Sequence, residues 1–160
     1  FRGLTALFGH MGLELDPVSA GEEERAGYRH YAALYKQWRG LIHSGTHWRV
    51  DMPDATTQAL GVVSQDKQQA IFLVSQLAMP DYSLMMPLRV PGLEAGARYR
   101  ITLLDDPNIQ LTGAGGHTMR KLPAWMTTEQ TISGEWLKVA GLALPVLDTE
   151  SAILIGFERV

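Results

Sequence analysis

The chain has 160 residues, long enough for one well-buried core with an appended helical segment and too short for two full domains. A net charge of -3, with both signs spread along the whole length, offers no basic stripe to neutralise phosphates and excludes nucleic acid as a partner. No apolar run approaches the ~20 residues of a membrane-spanning helix, and the N-terminal residues lack a secretory pattern, so no membrane association is expected. Cysteine is absent, which removes disulfides, zinc-thiolate sites and thiol nucleophiles together and favours a reducing, cytoplasmic setting. The opening Phe1-Arg2-Gly3-Leu4-Thr5 reads as the inside of a folded unit, which suggests a piece of a longer protein.

Ser19-Ala20-Gly21-Glu22 has the spacing of a capping box, in which the serine hydroxyl and the glutamate carboxylate each take an unpaired backbone N–H. A helix is therefore expected over about 20–42. Tyr28, Tyr31, Tyr35, Trp38 and Ile42 recur at steps of three and four and form one stripe of it. Glu22, Glu23 and Glu24 at its start and Lys36 and Arg39 near its end suit the macrodipole, and Gly45 marks its end.

Beyond Gly45 the hydrophobic period becomes two. Thr46 to Asp51 alternates as a half-buried strand, with Trp48 and Val50 on one face and His47, Arg49 and Asp51 on the other. Gly61 to Ser64 and Ala70 to Leu77, split by Gln65-Asp66-Lys67-Gln68, predict a hairpin. Ile71-Phe72-Leu73-Val74 is apolar on both faces, as in a central strand covered on both sides. Further strands are expected at 84–90, 98–103, 109–112 and 152–158, and a short helix ended by Gly141 over 133–141. Short strands at this spacing predict a mainly β fold, an antiparallel sandwich.

The segment Leu7-Phe8-Gly9-His10-Met11-Gly12-Leu13-Glu14-Leu15-Asp16 resembles the stretch that glycoside hydrolase family 36 α-galactosidases, including the raffinose-type enzymes of enteric bacteria, carry at the last strand of their catalytic barrel. The likeness continues through the aromatic helix and Leu41-Ile42-His43-Ser44-Gly45-Thr46-His47-Trp48-Arg49-Val50. It reaches Gly134-Glu135-Trp136-Leu137 and Gly141-Leu142-Ala143-Leu144-Pro145, and so covers essentially the whole chain. The resemblance implies a Greek-key sandwich over 46–160, preceded over 1–45 by one strand–helix unit of a (β/α)8 barrel, its strand over about residues 3–9 and its helix over about 20–42. It also implies retaining hydrolysis of terminal α-galactosides by two aspartates. Both aspartates are expected upstream of Phe1, so none of these residues is expected to be catalytic and no cofactor is expected. The implied partners are the rest of the barrel, the galactoside, and further copies in a homo-oligomer.

Local candidates for chemistry are weak. Glu14 and Asp16 sit two apart, but Asp16 before Pro17 reads better as a turn organiser than as half of a catalytic pair. His43 and His47 have helix spacing, yet Ser44 and Gly45 interrupt the helix and no His-Glu-x-x-His pattern forms, so no metal is expected. His117 and Gly113-Ala114-Gly115-Gly116 read as loop, since no Lys-Ser/Thr follows the glycines. Trp48, Trp125 and Tyr82 are the residues that could give a rival carbohydrate-binding sandwich its sugar-stacking platform, and sheet edges could make the domain an interaction module. An apolar patch of Leu34, Tyr35 and Leu41 is expected where the helix would face a barrel, with segment 3–8 disordered, re-paired with another copy, or folded back on the helix.

Overall fold

The computed structural model describes residues 1–12, 14, 16, 18–82, 84–104 and 122–160. The expected strand over 109–112, the glycine run 113–116 and His117 lie outside them.

The first element is a correction. Residues expected as a strand form helix α1, Arg2–Leu7. A lone strand with no neighbour among the described residues would leave every N–H and C=O unpaired, whereas a helical turn pairs them locally. The helix also places Leu4 and Leu7, three residues apart, on one side, where both are fully buried. Of the three fates expected for this segment, folding back on the long helix is the one observed.

Helix α2 runs Glu22–Ser44. The expected capping box does not form. Gly21 is the N-cap and makes no side-chain cap bond; Ser19 Oγ donates instead to Asp16 O at 3.3 Å. The Glu22 carboxylate is held by Arg25 at 3.0 Å and Arg29 at 2.9 Å, so it does not reach back. The helix ends where Gly45 N donates to Leu41 O at 2.8 Å. A Cβ on Gly45 would come within 2.4 Å of Val62, which is why the corner into the sheet carries glycine.

Among the described residues six strands follow in one antiparallel sheet: β1 Thr46–Val50, β2 Thr57–Val63, β3 Gln69–Gln76, β4 Arg98–Leu103, β5 Gln130–Ser133 and β6 Ser151–Arg159. Their spatial order is β1-β2-β3-β6-β4-β5, so β6 inserts between β3 and β4 by crossover connections. The mainly β, antiparallel architecture is as the sequence suggests. Between β4 and β5 lies α3, Ala124–Thr127, and after β5 comes α4, Gly134–Val139, capped by Ser133 Oγ accepting from Trp136 N. Gly141, at φ +84°, closes α4 in the left-handed region that glycine enters freely.

The central strands have two buried faces. Ala70, Phe72 and Val74 of β3 join Ile153, Ile155 and Phe157 of β6 in the larger core, beneath α4 and the extended chain around Leu88, Val90, Leu142 and Leu147. That extended chain is the second layer. It contributes one bridge, Leu88 to Leu142, and no continuous strand over 84–90, since Pro87 and Pro91 bring no N–H to a ladder. On the opposite face Ile71, Leu73, Ala152 and Leu154 are covered by Leu4 and Leu7 of α1 and Leu34 and Ile42 of α2. The apolar patch expected on α2 is thus occupied: Leu34 is buried, and Tyr35 and Leu41 pack at the margin of this core. Strand β1, an edge strand among the described residues, is covered on the expected face, with Val50 partly buried and Trp48 36% exposed, while His47 and Arg49 are exposed.

Candidate functional site

Glu14 and Asp16 are both exposed. Asp16 Oδ1 accepts from Val18 N at 3.0 Å and its carbonyl accepts from Ala20 N at 3.2 Å, so it builds the turn ahead of α2. Hydrogen bonds from Val18 N–H, first, and from Ser19 hold its carboxyl below the usual range. It is a structural group.

His43 and His47 diverge. His43 stacks on His10, with ring centroids 4.7 Å apart, and its Nε2 lies 2.9 Å from the Tyr35 hydroxyl. His47 Nε2 donates to Ile42 O at 2.7 Å, across the corner. No group of three or more His, Asp or Glu side chains gathers to hold a metal among the described residues. No helix among them is long and apolar enough to cross a membrane.

The three aromatic candidates are not brought together. Trp125 is buried and its indole N–H donates to Ala143 O at 2.7 Å, which makes it a pillar of the core. Tyr82 is exposed on the chain after β3. Trp48 lies on β1, 36% exposed, and lines a groove of about 400 Å3 that includes neither of the others. Trp136, which the sequence offers only within the Gly134-Glu135-Trp136-Leu137 likeness, is the most exposed tryptophan and stands in the first turn of the short capped helix α4.

The walls of the Trp48 groove are tied together from beneath. Buried Tyr99 of β4 donates its hydroxyl proton to Lys67 O at 2.9 Å and accepts from Glu94 N at 3.0 Å, joining the β2–β3 hairpin to the turn after Gly92. The third wall, α4, is fixed to that turn by Gly134 N to Ala97 O at 2.9 Å and Glu135 N to Ala95 O at 3.0 Å.

A second polar centre is structural. Asp54 is buried; its Oδ1 accepts from Thr56 N at 2.8 Å and Thr56 Oγ1 at 2.5 Å, and its Oδ2 from Asp81 N at 3.0 Å. Gln76, fully buried, donates to Thr56 Oγ1 and to Ala78 O, both at 2.7 Å, and accepts from Thr57 Oγ1 at 2.8 Å. Together they fasten the β1–β2 loop to the chain leaving β3. The Thr56 hydroxyl, ahead of the backbone N–H groups, holds the Asp54 carboxyl below its ordinary value against the opposing effect of burial. A depressed folded-state pKa gives stability that is complete above the unfolded value of about 3.9 and is lost as pH falls through the folded value. Asp54→Ala is therefore expected to lower the urea midpoint most at neutral pH, with the gap to the parent closing progressively below about pH 4. A gap that stays constant through acid would show that ionisation is not the source.

The profile of the glycosyl hydrolase family 36 C-terminal domain matches residues 57–155, which span β2 to β6. The chain belongs to glycosyl hydrolase family 36. This family 36 chain is 65% identical over 159 residues to the α-galactosidase of Escherichia coli, covering 99% of the chain and 22% of that protein. Its fold matches the galactosidase domain of the α-galactosidase–sucrose kinase AgaSK with a TM-score of 0.75 and 26% identity, over 99% of this chain and 19% of that one. It matches α-galactosidase AgaA of Geobacillus stearothermophilus, solved in complex with raffinose, with a TM-score of 0.74 and 26% identity at the same coverages. The family 36 chain thus spans about a fifth of the length of these relatives.

Proposed function

We propose that the chain works as the C-terminal structural domain of a retaining α-galactosidase that hydrolyses terminal α-galactosides of the melibiose and raffinose type. In that enzyme residues 1–45 end the catalytic barrel and residues 46–160 form the antiparallel β domain that braces it. In such hydrolysis one carboxylate attacks the anomeric carbon while a second protonates the departing oxygen, then deprotonates the water that releases galactose. Both aspartates belong to barrel strands upstream of Phe1; the enzyme is a cytoplasmic homo-oligomer of carbohydrate metabolism. The observation that carries this reading is the 65% identity to the E. coli enzyme across essentially every residue of the chain.

A graft tests it. The matching segment of the E. coli enzyme is replaced by this chain, and melibiose hydrolysis is compared with the parent and with a version lacking the segment. The graft is expected to keep kcat within a few-fold, the deletion to be inactive or insoluble, and the 160-residue chain alone to release no galactose. A soluble, folded and inactive graft, or turnover by the chain alone, overturns the proposal.

A further inference from the structure

We propose that the groove beside Trp48 is a binding subsite for a terminal galactopyranosyl residue, an assignment that rests on the α-galactoside reading above. Three features of the groove point there. The first is a fixed, half-open aromatic surface. Gly92, at φ +82°, lies so close to the indole edge that a Cβ there would stand 2.7 Å from Trp48 Nε1. The indole is therefore seated on backbone on one side, with the groove opening beside it. A tryptophan held this way costs little ordering when a flat ligand stacks on it.

The second is polarity. The polar side chains lining the groove are Thr46, Ser64, Gln65, Lys67 and Lys138, with no carboxylate among them. Lys67 is engaged with Glu94 at 3.2 Å, and Ser64 with Asp66 at 2.6 Å. Gln65 donates its amide to Ser44 O at 3.1 Å, which leaves its side-chain oxygen as an acceptor. Lys138 is exposed, with no ion pair among the described residues. The groove thus offers an ammonium donor and an amide acceptor around an aromatic ring. A sugar ring answers all three, with hydroxyls that accept and donate and a face of C–H groups for the indole. Galactose suits it better than glucose, because its axial O4 leaves the C3, C4 and C5 hydrogens together on the opposite face.

The third is size and rigidity. About 400 Å3 lies at the lower end of small-molecule sites, which run roughly 300–1,000 Å3, and holds one or two sugar rings. Tyr99 and the α4 contacts hold the three walls in register before any ligand arrives.

The test follows the indole N–H resonance of Trp48 while the 160-residue chain is titrated with methyl α-galactopyranoside. A saturating shift with a Kd on the order of 1 mM is expected. Trp48→Ala, followed through the backbone amides of Thr46 and Gly92, should weaken binding by about tenfold or more. Lys138→Ala, a change at an exposed side chain that leaves the fold intact, should weaken it several-fold, and methyl α-glucopyranoside should bind clearly less well. No saturation across the millimolar range, full affinity in both variants, or equal affinity for the glucoside overturns the assignment. The graft assay reads hydrolysis alone: an active graft with a silent groove sinks only the subsite, and an inactive graft with galactoside bound sinks only the enzyme reading.

Discussion

Phe72→Ala is expected to cost the domain about 3–5 kcal/mol, a loss of about 10 °C or more in Tm for a chain of this size. Phe72 is fully buried in β3, a central strand, and meets Phe157 of β6 edge to face, with centroids 5.8 Å apart at 89°. Across the β2–β3 ladder its partner is Gly61. A Cβ on Gly61 would stand 2.2 Å from the ring, so the phenyl fills the space a side chain at 61 would take. That arrangement explains why the loss should lie high in the range: glycine has nothing to swing into the vacated volume, and the sheet backbone cannot collapse without breaking its ladder. It also predicts coupling. Gly61→Ala alone should destabilise by overpacking, by about 1–3 kcal/mol, yet added to Phe72→Ala it should return part of the loss, because the new methyl enters the cavity. Urea unfolding of the four proteins measures this, and strict additivity would show that the two sites do not share one volume.

How much of this was legible in the sequence follows from how local each cause is. The aromatic stripe of α2 and the doubly apolar Ile71-Phe72-Leu73-Val74 carry their periodicity within a few residues, and both appear where expected. Strand β5 passed unread because Gln130-Thr131-Ile132-Ser133 has little pattern of its own; it is a strand by virtue of the β4 edge it pairs with. The α1 segment is a strand only by resemblance to a barrel stave, and its packing against α2 and the sheet makes it a helix. In the groove, Trp48 could be named from its type, but its contact with Gly92 and the approach of Lys138 are set by β-turn and helix placement far along the chain. The Asp54 centre did leave a local trace, an aspartate two residues ahead of a threonine that takes its carboxylate as a turn acceptor. Its link to Gln76 is nonlocal and had none.

The packing that decided α1 sets the second large effect. Leu4→Ala with Leu7→Ala is expected to lower global stability by at least about 2 kcal/mol and to abolish hydrogen-exchange protection throughout Arg2–Leu7. Both side chains are fully buried against Ile71, Leu73 and Leu154 of the sheet and Leu34 and Ile42 of α2. Six residues are far too few to remain helical on their own, so α1 exists only while docked. Each Leu→Ala change by itself would cost about 2–5 kcal/mol in a closed core. Here the total should level off at the docking free energy of the helix, because past that point the segment detaches and its burial is lost all at once. Detachment would also bare the sheet face between β3 and β6, so the variant should self-associate more readily than the parent. Gly3→Leu reaches the same end by the opposite route: a Cβ at position 3 already stands 2.5 Å from the Tyr31 ring, and a larger side chain wedges α1 away from α2. If the double variant unfolds at the parent's urea midpoint, α1 contributes nothing to the cooperative unit, and the sheet face it covers is held by α2 alone.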